Sequence, residues 1–114
     1  MPPSNRVKGR RTELKVKHWL EKQGYEVELA PIPTRWGGGQ DFFDGLWDGI
    51  AHRSDEIMFF QVKSNRSSVY GKKLDRHRAW KTVARKAIFL WEPRKRLPEV
   101  IELGTGTLIP PKTS

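Results

Sequence analysis

Asp48, Gln61 and Lys63 are the residues of this chain whose types and spacing best suit chemistry. They lie in the stretch Trp47 to Lys63, WDGIAHRSDEIMFFQVK, which reads as two short strands joined by a polar turn. Residues two apart on a strand share a face, so Gln61 and Lys63 project together while Asp48 arrives from the neighbouring strand. Such a group can hold a divalent cation beside a water. Asp48 and the amide oxygen of Gln61 supply ligands, the backbone carbonyl of Val62 a third, and Lys63 can orient the water or offset charge. Glu13, on a preceding helix, can complete the shell directly or through water. A Q-x-K pair alone says little; Asp48 one hairpin upstream and Glu13 one helix upstream give it meaning. Gln61 carries no charge, so a cation here depends on the two acids.

Composition narrows the chemistry. The chain has 114 residues, enough for one domain with one modest core. It has no cysteine, which excludes disulfides, thiolate zinc sites and cysteine nucleophiles. The remaining hard oxygen donors point to Mg2+, with Mn2+ as a substitute. Twenty-two Lys and Arg against thirteen Asp and Glu leave a net charge of +9, which favours a polyanionic partner. A metal, a water and a polyanion together suggest hydrolysis of a phosphodiester, which needs a nucleophilic water and charge relief on the phosphoryl oxygens. No apolar run nears the ~18 residues of a membrane span, and no signal-peptide pattern opens the chain. A soluble, intracellular (cytoplasmic) protein without membrane contact is therefore expected. His18, His52 and His77 have no metal-box spacing and are expected at the surface or facing nucleic acid.

The elements that must position these residues follow from periodicity. Arg6 to Gln23 is rich in helix formers, and Gly24 stands where a C-terminal cap belongs. Val16 and Leu20 form its apolar stripe, and Glu13 lies on or beside it. Tyr25 to Ala30 alternates as a half-buried strand. The loop 31–45, broken by Pro31, Pro33 and the run Gly37 to Gly39, is long for this size. In it Trp36 can equally stack on a base or tuck into the core. Leu46 to Ala51 predicts a strand with Leu46, Asp48 and Ile50 on one face and Trp47 and Ala51 on the other. Ile57 to Lys63 predicts a central strand, apolar on both faces near its start. A helix is expected from about Lys72 to Lys86, then a buried strand Ala87 to Trp91, a basic hairpin Pro93 to Pro98 and an edge strand Glu99 to Leu103. Residues 1–5 and 104–114 read as flexible tails. The result is an α/β domain, a central mixed five-stranded sheet flanked by helices in the order α-β-β-β-α-β-β.

Basic residues cluster on two of these elements. Lys8, Arg10 and Arg11 give the first helix a positive surface. From Ser64 to Lys86 there are eight basic residues against the single acid Asp75. Within that run Arg66, Lys72, Lys73, Arg76 and Arg78 are candidates for phosphate contact.

The order Glu13, Asp48, Gln61-Val62-Lys63 resembles the PD-(D/E)XK nuclease superfamily, and within it the small archaeal-type Holliday junction resolvases. Lys8-Gly9 precedes Glu13 as a Lys-Gly pair precedes that family's helix glutamate. Leu20 to Tyr25 looks like its helix-ending segment, and the interval of thirteen from Asp48 to Gln61 fits its hairpin. The resemblance covers about residues 8–103 and implies a restriction-endonuclease-like fold. It also implies a dimeric, Mg2+-dependent endonuclease that nicks opposing strands of a four-way DNA junction. Glu13, Asp48 and Gln61 would then be metal-site residues and Lys63 the catalytic lysine. Gln61 stands where the family usually has Glu, a variant found in some branches. Asp41 and Asp44 compete with Asp48 for the acid's role, and Thr34 is a candidate for the family's loop serine. A nuclease for flaps, nicks or foreign DNA is the rival within enzymes. A DNA-binding module with a decayed metal site is the rival outside them.

Overall fold

Proline-free helix formers give α1, Asn5–Lys22, in the computed structural model, which describes residues 5–31 and 42–104 without the side chains of 5–8 and 44. The termination of α1 is a chemical one. Gly24 adopts φ +96°, its N–H donates to the Glu21 carbonyl at 3.0 Å, and the Tyr25 N–H donates to the Leu20 carbonyl at 3.1 Å. This paired capping closes with Tyr25 and Leu20 in one core cluster.

The sheet contains β1 (Glu26–Leu29), β2 (Gly49–Arg53), β3 (Glu56–Lys63), β4 (Arg85–Leu90) and β5 (Glu99–Glu102), in that spatial order. Only β3 and β4 run parallel. The expected mixed five-stranded α/β architecture is present, with β3 central and β5 at an edge. A four-residue helix, α2 (Phe42–Gly45), occupies the end of the long 31–45 loop.

Alternation along β3 splits the core in two. Met58 and Phe60 pack with Val16, Leu20 and Phe89 on the α1 side. Phe59 joins Trp47, Leu74, Ile88 and Leu90 on the other side, so Gln61 and Lys63 share that second face by parity. Trp47, Phe60 and Phe89 are almost wholly buried, each stabilising the fold by about 1.5–3 kcal/mol relative to exposure. The second face is covered by two 3₁₀ turns, Arg66–Val69 and Gly71–Leu74, and by α3 (Asp75–Ala79).

The helix expected from Lys72 to Lys86 is therefore corrected to a 3₁₀ turn, a five-residue helix and an irregular link. Lys86 explains why. It is fully buried, and its ammonium donates to the carbonyls of His77 (2.7 Å), Arg78 (2.9 Å) and Trp80 (2.6 Å). A cation taking the last carbonyls of a helix stabilises its end, so the chain turns at Trp80 and Lys86 becomes a strand residue.

The junction between residue 47 and β2 also departs from simple alternation. Gly49 is registered against Phe60, yet the Asp48 N–H also donates to the Phe60 carbonyl at 2.9 Å. Two successive residues thus oppose one, which is a β-bulge. A one-residue shift reverses faces, so Trp47 lies in the second cluster with Leu46 and not, as parity predicts, with Ala51.

Glycine is required at the bulge by space. A Cβ on residue 49 would lie 2.3 Å from Cζ of the buried Phe60 ring. Gly49→Ala is expected to lower unfolding free energy by about 1–3 kcal/mol through overpacking, measured by urea denaturation. An unchanged midpoint would show that the ring moves aside.

Candidate active site

The bulge gives Asp48 a backbone that faces both neighbours. Its N–H points to Phe60 on β3, while its carbonyl accepts the Ala30 N–H at 2.9 Å beside β1. In a regular ladder the Ala30 carbonyl would accept the Asp48 N–H in return. Here it accepts Arg10 Nη1 at 3.0 Å, and the same nitrogen bonds Glu13 Oε1 at 3.1 Å. Glu13 is thereby tied to the strand end beside Asp48, although α1 packs on the opposite face from Gln61 and Lys63.

The Asp48 side chain completes the sheet where β2 leaves β3. Its Oδ2 accepts the Val62 N–H at 2.7 Å. A charge-assisted bond to a backbone amide fixes the carboxylate in place. In an extended strand the N–H and C=O of one residue point to the same side, so the Val62 carbonyl also faces the Asp48 side.

Gln61 and Asp48 are both buried at this strand end. Gln61 is 9% exposed and Asp48 7%. Among the described residues, Gln61 Oε1 and Trp47 Nε1 are buried with no hydrogen-bond partner. Trp47 precedes Asp48 in the chain, and its ring meets that of His77 edge-on with centroids 5.1 Å apart. Unpaired buried polar atoms are costly and are normally satisfied by water, an ion or a ligand. Carboxylate, amide and carbonyl oxygens suit a hard divalent cation. Among the described residues no three His, Cys, Asp or Glu cluster together, so a cation here would draw on Gln61 and Val62 as well as on acids.

His77 corrects an expectation. It is buried, not at the surface. Burial pushes its pKa down, the Lys63 charge adds to this, the Leu46 backbone opposes it, and Arg76 and Lys86 lower it further. His18 and His52 are exposed as expected, His52 lying 3.1 Å from Glu26.

The expected phosphate-binding residues divide. Arg11, Lys72 and Arg76 are exposed. Arg78 is also exposed and reaches Asp75 only at 3.7 Å. Arg10 is taken up by Glu13 and Ala30, and Lys73 donates to the Ser67 carbonyl at 2.7 Å. Arg66 pairs with Glu92 at 2.8 Å and Glu99 at 2.9 Å. The side chains of Lys8 and Asp44, and all of Thr34, Trp36 and Asp41, lie outside the described residues. Lys86 and Trp47 were missed as site-shaping residues. The signal for Lys86 was its parity with Ile88 and Leu90; nothing comparable marks the bulge.

No protein-family model and no curated protein sequence matches the chain. Among the described residues, no helix is long and apolar enough to cross a membrane.

His77 gives the fold an acid-sensitive component. Its pKa is lowered from 6.5 on folding, so below 6.5 the unfolded chain binds more protons. Stability then rises with pH, by at most about 1.4 kcal/mol per pH unit. The contribution is full above 6.5 and is lost as pH falls toward the lowered folded value. Denaturant titrations at pH 7 and pH 5 should show this loss, smaller in His77→Phe. An equal loss in that variant would place the sensitivity elsewhere.

Proposed function

We propose that the chain is a metal-dependent DNA endonuclease of the PD-(D/E)XK type, acting as a homodimer on four-way junctions. The observation that carries the reading is Gln61 Oε1. It is buried without a partner among the described residues, on the residue preceding the amide that anchors the Asp48 carboxylate. The order of elements and the net charge of +9 support it, and the junction substrate rests on the sequence resemblance.

Asp48, Gln61 Oε1 and the Val62 carbonyl would hold Mg2+ or Mn2+, with Glu13 completing the shell directly or through water. A bound cation supplies charge relief to phosphoryl oxygens and a water of lowered pKa. The residues divide the remaining work. The Val62 N–H keeps one Asp48 oxygen fixed, so the carboxylate needs no rearrangement on binding. Lys63, two residues beyond Gln61 on one face, orients the attacking water or offsets charge as the phosphoryl group reacts. Arg10 holds Glu13 at the strand end beside Asp48. A twofold dimer presents two such sites, as paired incision of a junction requires.

A second reading follows from one feature, the neutrality of Gln61. A site with one charge fewer binds metal less tightly, which favours a non-catalytic DNA-binding module with the same fold.

The test is cleavage of a synthetic four-way junction with Mg2+ or Mn2+, beside flap, nicked and linear DNA. Symmetric nicks in the junction are expected, and Asp48→Asn or Lys63→Ala should lower the rate by about 10² or more. Gln61→Glu should lower the Mg2+ concentration needed. Binding without cleavage of any DNA by the native chain, with activity appearing only in Gln61→Glu, would establish the second reading. Preferred cleavage of another substrate would remove the resolvase assignment and keep the nuclease.

A further inference from the structure

The hairpin between β4 and β5 is basic, and its place in the fold gives it a use. Because β3 and β4 are parallel and Lys63 is registered against Leu90, the hairpin leaves the sheet at the end that carries Gln61 and Lys63. The Trp91 N–H donates to the Lys63 carbonyl at 2.8 Å. The Trp91 indole Nε1–H then donates to the Lys95 carbonyl at 2.8 Å, and the Lys95 N–H donates to the Glu92 carbonyl at 3.2 Å. Three hydrogen bonds thus tie the tip to the strand end of the site. Arg94, at the turn, has φ +68°, a conformation that a non-glycine residue rarely takes.

The charge of the tip is uncompensated. Arg94, Lys95 and Arg96 are all exposed, and among the described residues none forms an ion pair. The two acids that flank the tip, Glu92 and Glu99, are both engaged by Arg66. Arg66 therefore braces the base of the hairpin and leaves three cations displayed at its end. Lys15 adds a fourth nearby, its ammonium 4.5 Å from the centroid of the Trp91 ring.

We infer that Arg94, Lys95 and Arg96 form a phosphate clamp that grips the backbone of a DNA arm beside the Lys63 end of the sheet. The inference rests on the nuclease reading for its choice of polyanion and extends it by naming the surface. The tip is a spaced set of cations on a braced turn, which suits phosphate oxygens and carries no base readout.

The experiment measures DNA affinity against salt concentration, without divalent metal, for junction and linear duplex. The triple variant Arg94→Asn, Lys95→Gln, Arg96→Gln is compared with the native chain. A control, Lys22→Gln with Lys81→Gln, removes exposed charges at the opposite end of the sheet. Each lost phosphate contact lowers the slope of log K against log salt by about 0.9. The triple variant should lose about 2–3 units of slope and bind at least about tenfold more weakly near 0.1 M salt, with the control losing less than one unit. Lysine acetylation of the native protein supplies a second measurement that no folding defect can confound. DNA should protect Lys95 and leave Lys22 and Lys81 reactive. An unchanged slope with unprotected Lys95, in a native protein that binds DNA, overturns the clamp alone. Absence of DNA binding by the native protein overturns the clamp together with the nuclease reading.

Discussion

The hydrogen bond from the Val62 amide to the Asp48 carboxylate is the constraint on which the proposed centre depends. It stands where a backbone carbonyl would stand if β2 continued alongside β3. The bulge at Asp48 and Gly49 removes that carbonyl, and the side chain takes its place. The same distortion frees the Ala30 carbonyl for Arg10 and so connects Glu13 to Asp48 from the opposite layer. One extra residue in a ladder thus joins two elements that parity alone would keep apart.

The second face of the sheet provides the setting. Phe59, Trp80 and Trp47 pack edge to face beneath Phe43, and Lys86 ends α3 so that the covering layer turns away at Trp80. Within this apolar surround lie the polar atoms of Gln61 and Trp47 that lack protein partners among the described residues. A fold retains such atoms at a cost in stability, and a water-bearing or ion-bearing site is the usual compensation. Burial, with the Lys63 charge beside it, lowers the His77 pKa, which disfavours further positive charge around Lys63.

Much of this was legible in the residues. Alternation assigned Phe59, Gln61 and Lys63 to one face and Met58, Phe60 and Val62 to the other. Gly24 marked the end of α1, and apolar character on both faces marked β3 as central. What could not be read has physical causes. A bulge leaves no local composition, only a glycine whose Cβ would meet Phe60, so the face of Trp47 was misassigned. The helix over Lys72 to Lys86 failed because propensity is local, whereas Lys86 acts across the fold on the carbonyls of α3. His77 read as a surface group, and Arg66 as a phosphate contact with no sign of its pairing to Glu92 and Glu99, for the same reason. Their partners come from elements distant in the chain.

The most direct measurement of the central claim is a crystal of the native protein soaked in Mn2+, with the ion located by its anomalous scattering. One peak is expected beside the Asp48 carboxylate and Gln61 Oε1, and none in Asp48→Asn under the same soak. A peak coordinated elsewhere, or no peak at these two residues at concentrations that support catalysis, would contradict the claim.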